Sequence, residues 1–387
     1  MSAANNTANA PPAVSPTAPG TNHPSFSNGD GDIIVADDFT DDDNASTNGS
    51  SLASSSTSVS SSVLSYRLEN GRTYHKYKDG KYFMPNDERE NDRLGKMVQK
   101  LPGKHMLIEE RGVDLQHNMF IRSFNDRLGT APPNDPGAKV GRVLDLGTGS
   151  GIWAIDFGDD NPGADVTGVD LSASQPEFVP PNVRFEIDDV EEPWTYSLPF
   201  DYIHSRMMTF SIGNWDAYLQ QAFDHLNPGG YLELNETDQM PVSDDGTLKE
   251  DSALVKSIKM LEEAAIIFGR PFTDIPGLKD KMIQIGFEDV HIQRFKWPTN
   301  GWPKERKYKE LGLWNYENFA PGWEAFTMAP LTRALGWTKE EVLIHVMEVR
   351  RDLADRNIHA YFSIYSIWGR KPKETPEATG ATETPAT

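Results

Sequence analysis

Several features that would point to particular classes of protein are missing from this chain of 387 residues. It has no cysteine, which excludes disulfides and thiolate metal sites and argues against a small secreted scaffold. No apolar run approaches the roughly 18 residues that a membrane-spanning helix needs, so no membrane association is predicted. The N-terminus lacks the charged and apolar regions of a secretory signal, and we predict a cytoplasmic or nuclear protein.

Positive charge is scarce relative to negative charge. The chain has 37 Lys and Arg against 58 Asp and Glu, which gives a net charge of −21. Nucleic-acid phosphates bind to basic faces, so direct nucleic-acid binding is not expected. The chain also has no His-Glu-x-x-His motif and no cluster of histidines, so no metal is predicted.

Both ends of the chain are poor in large apolar side chains. Residues 1–62 contain seven Asp and neither Lys nor Arg, and residues 371–387 are rich in Pro, Thr and Glu. Such segments cannot bury enough apolar surface to offset the entropy that ordering would cost. We therefore predict that both are disordered.

What the chain does have is a glycine turn between a short apolar run and a helical pattern. Residues 143–151 read VLDLGTGSG, and apolar residues then recur at helical spacing. Glycine permits a positive φ and leaves room for a ligand, while amides at a helix N-terminus favour a negative group. The spacing departs from the dinucleotide fingerprint at Ile152, and no Lys follows the turn as a phosphate loop requires.

Acidic residues also mark the ends of the next two predicted strands. Asp170 ends an alternating apolar run, about 20 residues after the glycine turn, where an open α/β sheet binds a ribose diol. Asp188 and Asp189 follow the next run. Together with Asp145, which precedes the glycines, they place acids at three successive strand ends. This series indicates a cofactor with a nucleotide-like part.

Strands and helices alternate through the centre of the chain, which predicts an α/β fold with a doubly wound, mostly parallel sheet. The predicted strands are 141–146, 164–169, 183–187, 200–203, 231–234, 287–297 and 360–368, the last one antiparallel. The predicted helices are 213–226, 248–268, 275–285 and 340–356, the last with Thr338 as its N-cap. They belong to a domain over 138–370, in which the insertion 245–270 forms a lid over the site.

Two further regions are harder to assign. Residues 66–130 are predicted to form an N-terminal helical cap over the site, with a hairpin turn at 78–81 and helices over 88–111 and from Asp114. Residues 302–326 are rich in aromatic side chains. The sequence leaves open whether these aromatic residues line an acceptor pocket or belong to the core.

The glycine turn resembles motif I of the class I S-adenosylmethionine (SAM) methyltransferases. Longer segments resemble the fungal LaeA-like methyltransferases, which include both regulators and tailoring enzymes of secondary metabolism. These segments are 74–90, 114–117, 143–157, 170–194 and 226–236. The chain departs from the family pattern at Ala173, Ser174 and Phe178, where the family usually has Pro, Ile and Trp, so the wall beside the adenine is expected to differ slightly.

The resemblance implies a class I, Rossmann-like methyltransferase fold and SAM as the cofactor. In that family the glycine turn holds the methionine part, the acid at the Asp145 position lies near its amino group, and the end of the third strand contacts the adenine. The predicted cofactor-binding residues are Asp145, Gly147, Thr148, Gly149, Gly151, Asp170, Leu171, Asp188, Asp189, Val190, His204 and Ser205.

Methyl transfer from a sulfonium mainly requires alignment and exclusion of water, although an oxygen or nitrogen acceptor also benefits from a base. The candidate bases are His117, His204 and Glu236. Two functions stay open: methylation of a small-molecule acceptor in fungal secondary metabolism, or nuclear regulation by a SAM-binding protein with a protein partner and no small-molecule acceptor. A nicotinamide-dependent oxidoreductase is disfavoured by Ile152.

Overall fold

The structure, a computed structural model, describes residue 34 and the ranges 66–75, 81–87 and 115–373. The predictions for residues 1–62, apart from residue 34, and for the helix over 88–111 lie outside the described residues. So do residues 78–80 of the predicted hairpin turn and residues 374–387 of the C-terminal segment.

The described N-terminal part begins with a β-hairpin, where the sequence analysis expected a helical cap. Strands β1 (Tyr66–Glu69) and β2 (Arg72–His75) pair antiparallel. The loop between them is Asn70-Gly71, and both residues have positive φ, 52° and 82°. A two-residue loop of this conformation favours Asn-Gly because its twist matches that of the strands. The predicted helical cap is therefore wrong for residues 66–75, where the Asn-Gly pair is the local signal for a hairpin.

A seven-stranded sheet forms the centre of the molecule. Its order is β5-β4-β3-β6-β7-β9-β8, and β9 is antiparallel to both of its neighbours. The strands are β3 (Arg142–Leu146), β4 (Asp165–Asp170), β5 (Val183–Ile187), β6 (Phe200–Arg206), β7 (Leu226–Thr237), β8 (Glu288–Pro298) and β9 (Tyr361–Arg370). The predicted mostly parallel sheet with an antiparallel last strand is therefore confirmed.

Helices cover both faces of the sheet. Alternate residues of β3 point to opposite faces, so Val143 packs with Trp153 of one helix while Leu144 lies in the cluster that contains Leu219 of another. The helices are α1 (Leu115–Ser123), α2 (Ile152–Asp160), α3 (Trp215–Asp224), α4 (Ala253–Ile267), α5 (Leu278–Ile285), α6 (Arg306–Arg333) and α7 (Lys339–Ala354). Thr338 caps α7 in a capping box with Glu341, which confirms the predicted helix start.

Three of these helices form a second layer. Apolar side chains of α4, α6 and α7 pack into one cluster, which also includes Phe362 from the start of β9. Because β9 runs antiparallel, its start lies at the edge where the parallel strands end. The second layer therefore lies next to the carboxyl edge of the sheet.

Helix α6 was not predicted, because the sequence places Pro321 and Pro330 within it. A proline inside a helix removes one hydrogen bond and usually costs about 3 kcal/mol. Here Arg350 of α7 donates to the carbonyls of Ala320 and Pro321, and the apolar face of α6 is buried against α4 and α7. Tertiary packing thus holds a 28-residue helix that local propensity does not favour.

The N-terminal hairpin packs on α6. Arg333 forms an ion pair with Glu69 at 2.8 Å and lies over the ring of Tyr74 at 4.6 Å. Tyr74 is buried against Ala325 and Ala329 of the helix. This contact holds the hairpin against α6. Further along the chain, residues 81–86 lie at the carboxyl edge of the sheet.

Candidate functional site

A cavity of about 990 Å³ lies along the carboxyl edge of the sheet. We call its two parts the acidic half and the aromatic half. The acidic half is formed by the ends of β3, β4 and β5, with the residues Gly147 to Ser150, Asp170 to Ser172 and Asp188 to Glu191. The aromatic half is lined by Phe210, Ile258, Leu261, Phe319, Trp323, Phe326 and Phe362. The N-terminal segment 81–86 lines the same cavity.

Gly149 is the residue of the glycine turn at which a ligand can approach the backbone. Its φ is 57°, and a Cβ placed on it would meet no atom closer than the Gly147 carbonyl oxygen at 4.0 Å. A Cβ at Gly147 or Gly151 would instead overlap the side chain of Met208 or Phe185. Two of the three glycines are therefore required by packing within the protein, and Gly149 is the one that keeps space open in the cavity.

Asp145, His204 and Ser205 lie beneath the turn and do not line the cavity. Asp145 accepts a hydrogen bond from the Thr148 hydroxyl at 2.6 Å and contacts Nδ1 of His204 at 2.7 Å. The His204 ring is buried and stacks on Trp153 with 3.7 Å between ring centroids. Ser205 accepts from the hydroxyl of Tyr218 at 2.9 Å.

This buried network supports the turn from below. The predicted direct contact of these three side chains with the cofactor, and the candidate role of His204 as a base, do not agree with their position. The sequence could place them at strand ends but could not show on which side of the turn they lie.

Asp170 lines the acidic half, where two backbone amides hold its carboxylate. Gly149 N–H donates to Oδ2 and Ser172 N–H donates to Oδ1, both at 2.9 Å. Burial raises the pKa of the Asp170 carboxyl, although these two hydrogen bonds oppose the shift. A carboxylate oxygen can accept more than one hydrogen bond, so this arrangement is compatible with a diol donating to the same group.

The two acids after β5 have different surroundings. Asp188 is exposed and accepts from the backbone N–H of Asp189 at 2.8 Å. Asp189 is buried; it accepts from the Glu191 backbone N–H at 3.1 Å and forms an ion pair with Lys81. Lys81 comes from the N-terminal segment and was missed by the sequence analysis, because no local pattern links it to a strand end 108 residues away.

Glu236, the second candidate base, is fully buried and does not line the cavity. Its carboxylate accepts from the backbone N–H groups of Met208 and Thr209 at 2.9 and 3.0 Å, and from the Thr209 hydroxyl at 2.6 Å. Burial raises the pKa of Glu236 to about 7. Its contacts hold the segment after β6, of which Met208 and Phe210 face the cavity.

His117, the third candidate, is also buried outside the cavity wall. Its Nε2 contacts Asp156 Oδ2 at 2.9 Å, and its Nδ1 contacts a guanidinium nitrogen of Arg206 at 3.1 Å. Its neighbour Gln116 and its partner Arg206 are the residues that line the cavity. None of the three predicted bases faces the cavity.

The sequence left open whether the aromatic residues of 302–326 line a pocket or belong to the core, and the structure places them in two different environments. Phe319, Trp323 and Phe326 of α6 line the cavity, whereas Trp302 and Trp314 do not and pack elsewhere in the protein. The stretch is therefore divided between the cavity wall and the protein core, and the binding of an acceptor at that wall stays a prediction. Ile258 and Leu261 of α4 complete this wall, so the predicted lid insertion does contribute to the cavity.

One buried polar side chain of the cavity wall belongs to neither of the two sets of residues that define the halves. Gln239 is buried, lines the cavity, and donates from Nε2 to the Thr237 carbonyl at 2.7 Å. This hydrogen bond orients the side-chain amide of Gln239, because the amide nitrogen is the donor to the backbone. The remaining oxygen of the amide is a hydrogen-bond acceptor.

Among the residues of the described ranges there is no group of three or more His, Cys, Asp or Glu side chains that could hold a metal ion. Within the same part of the chain, no helix is long and apolar enough to cross a membrane.

Comparison with known proteins shows clear sequence relatives. A family model described as a methyltransferase domain matches residues 115–292. The chain is 41% identical to "Methyltransferase pytC" of Aspergillus terreus over 315 residues, 81% of this chain and 90% of that protein. It is 36% identical to "Secondary metabolism regulator LAE1" of Cochliobolus heterostrophus over 312 residues, 79% of this chain and 95% of that protein.

A solved structure that the chain resembles is less similar to it in sequence. Phosphoethanolamine N-methyltransferase 2 of Haemonchus contortus, in complex with S-adenosyl-L-methionine, is 20% identical with a TM-score of 0.39. That match covers 62% of this chain and 50% of the other.

Proposed function

The chain belongs to the LaeA-like family of SAM-dependent methyltransferases, and on that premise we propose that it methylates a neutral, ring-containing small molecule bound in the aromatic half of the cavity. The observation that carries this proposal is the continuity of the two halves. One cavity contains both the strand ends suited to the cofactor and a wall of aromatic side chains.

The residues of the acidic half fit SAM. Gly149 leaves room where the backbone must come close to a ligand, and Asp170 presents a carboxylate to a ribose diol. Asp188 and the backbone after it lie at the end of the next strand, where we place the adenine. Thr148, Leu171 and Val190 complete this set of cavity residues. Gly151 acts through packing on Phe185.

SAM supplies a sulfonium-bound methyl group that a nucleophile can take directly. The chain's own contribution is then to align the two molecules and exclude water. Phe83 and Met84 of the N-terminal segment line the cavity, and Phe83 contacts Phe210 of the aromatic half with 5.9 Å between ring centroids. These apolar side chains keep solvent from the point where cofactor and acceptor meet.

The aromatic half limits the chemistry of the acceptor. Aromatic rings form offset or edge-to-face contacts with other rings, and Phe319 already makes such contacts with Trp323, Phe326 and Phe362. Gln239 adds an amide oxygen that can accept from an O–H or N–H of the acceptor. We therefore infer an aromatic or polycyclic acceptor that carries a hydroxyl or a ring N–H.

A regulatory role is the second candidate, because the relatives include proteins named as regulators of secondary metabolism. In that role the protein would bind SAM and a protein partner without a small-molecule acceptor. The aromatic lining of a cavity shared with the cofactor favours the enzymatic role, since a protein partner does not require it.

The test is a methyl-transfer assay with SAM labelled on the methyl group, using the full chain and a panel of phenols and indoles. We expect label in the organic-extractable small-molecule fraction. The matched control is Asp170→Ala, which should bind SAM at least about tenfold more weakly because a charge-assisted contact is lost. Label found only in precipitated protein, or no transfer to any ring compound despite SAM binding, would overturn the small-molecule assignment.

A further inference from the structure

We propose that Phe178 covers the adenine of SAM, and that Gln175 is the residue that holds the loop carrying Phe178 in place. The inference rests on the proposed function, since it concerns the same cofactor. Phe178 is not among the cofactor-binding residues that the sequence predicts. The proposal therefore adds a residue that recognises the base to those that hold the ribose and the glycine turn.

Phe178 is unusual among the apolar side chains of the described residues. It is 93% exposed, more than any other large apolar side chain that is exposed in this part of the chain. None of the other exposed ones lines the cavity, whereas Phe178 does. Single apolar side chains are common on protein surfaces, but one in the wall of a cavity gains free energy when a ligand covers it.

The loop that carries Phe178 joins β4 to β5 and is held near both ends. Near its start, the Ser174 hydroxyl and Gln175 Nε2 donate to the Gly149 carbonyl at 2.9 and 2.7 Å. Near its end, Asn182 Nδ2 donates to three backbone carbonyls in and just after α2, at 3.1 to 3.2 Å. Three prolines between these anchors restrict the backbone further. The ring is therefore carried by a short, restrained span of chain beside the glycine turn.

Chain order places this loop at the adenine end of the cofactor site. The loop begins after Asp170, to which we assign the ribose, and leads into β5, whose end we assign to the adenine. Between residues 147 and 191, Phe178 is the only aromatic side chain that lines the cavity. Adenine is the only aromatic part of SAM, and every base has a flat π-face on which an aromatic side chain can stack. The ring therefore matches the base and not the ribose or the methionine part.

The experiment compares SAM with adenosine, which has the same base and ribose but no methionine part. Affinities for both compounds are measured by calorimetry for the wild-type full chain and for Phe178→Ala. We expect the variant to bind each compound at least about fivefold more weakly, because stacking of a base on an aromatic ring is lost. Phe178→Leu should lose nearly as much, since leucine is apolar but has no ring face.

Two further variants exclude a general effect on the fold. Leu198→Ala is the matched control, because Leu198 is an exposed apolar residue outside the cavity wall, and it should change neither affinity. Phe178→Trp keeps an aromatic face and should bind both compounds at least as tightly as the wild type. The fluorescence of this added tryptophan, measured as the difference from the wild type, should change when adenosine binds. All these variants should keep the wild-type melting temperature, since none removes a buried side chain.

The anchoring role of Gln175 is tested by Gln175→Leu, which removes the hydrogen bond to the Gly149 carbonyl. This variant should weaken the binding of both compounds several-fold. If Gln175 acts by holding the loop, Phe178→Ala should cost less affinity in the Gln175→Leu background than in the wild type. An equal cost in the two backgrounds would show that Gln175 does not act through Phe178.

The possible outcomes separate this inference from the proposed function. If the wild type binds neither compound, the proposed function fails and this inference fails with it. If the wild type binds SAM and Phe178→Ala binds it within about twofold as tightly, the role of Phe178 is wrong while the proposed function stands. A loss for SAM without a loss for adenosine would place the ring on the methionine part and overturn the adenine assignment. Unchanged affinities with reduced methyl transfer would assign the ring to the acceptor and overturn it as well.

Discussion

The acidic and aromatic halves of the cavity are assembled in different ways. The acidic half takes its residues from one continuous region, between Gly147 and Glu191, where each polar group follows the end of a strand. The aromatic half collects single side chains from distant elements, such as Phe210 after β6, Ile258 of α4 and Phe362 of β9. One half follows from local sequence order, whereas the other exists only after the helical layer has packed.

This difference has a consequence for specificity. Backbone amides and strand-end carboxylates fix the geometry of the acidic half, so substitutions elsewhere in the fold should leave it intact. The aromatic half depends on side chains of α4 and α6, which can change without altering the sheet. Cofactor binding and acceptor choice are therefore expected to respond to different substitutions, and the following predictions test that separation.

The largest effect is expected for Gly149→Val, which should abolish SAM binding while the protein stays folded. The side chain would project into the open space of the acidic half. The matched control is Gly246→Val, because Gly246 has a similar φ of 70°, is exposed and has no atom near its absent Cβ. Both variants carry the roughly 1–2 kcal/mol strain of a left-handed residue. Calorimetry showing unchanged SAM affinity for Gly149→Val would refute the assignment of the turn.

A truncation tests whether the N-terminal segment joins the two halves. A chain that begins at Gly137 loses Lys81, which pairs with Asp189 of the acidic half, and Phe83, which lies 5.9 Å from Phe210 in ring-centroid distance. We expect it to lose SAM affinity and solubility. A chain that begins at Ser62 should keep its melting temperature and its SAM affinity. Equal SAM binding by both truncations would show that residues 66–130 form a separate module.

A third prediction concerns Trp323→Ala in the aromatic half. Trp323 is buried and donates to the Ser257 hydroxyl at 2.9 Å, so its removal should lower the free energy of unfolding by about 3–5 kcal/mol. Below its melting temperature the variant should bind SAM within about twofold of wild type but lose methyl transfer. Trp323→Phe serves as the milder control. A large loss of SAM affinity in either variant would mean that the halves are coupled.

The smallest effect is expected from Glu236→Gln, measured as the pH dependence of stability. Burial raises the pKa of Glu236 from 4.5 to about 7, so between these pH values the folded protein holds a proton that the unfolded chain has released. The stabilising contribution of this carboxyl is therefore present below pH 4.5 and is lost as pH rises toward 7.

Denaturant unfolding from pH 4.5 to 8 should show the wild type losing stability relative to Glu236→Gln, by at most about 3 kcal/mol. The difference in free energy of unfolding at any single pH does not test the raised pKa. The glutamine amide places a donor against the backbone N–H groups of Met208 and Thr209, which changes stability at every pH. Parallel curves across the whole range would contradict the raised pKa.

The sequence by itself determined the sheet and the strand-end acids. Short apolar runs with period-two alternation, each followed by a turn, specify strands whose carboxyl ends meet at one edge, and this places Asp170, Asp188 and Asp189 together. Local turn chemistry also specifies the Asn70-Gly71 hairpin, which was not among the predicted elements. These features depend on neighbours within a few residues.

The tertiary structure alone decided which side chains meet across long separations. It paired Lys81 with Asp189, placed His117 against Arg206 instead of in the cavity, and held α6 as a helix through two prolines. Periodicity shows which face of an element is buried but not which partner covers it. Because the contact partners lie on different elements, their pairing follows from the packing of the whole fold, and the aromatic half of the cavity was fixed only at that stage.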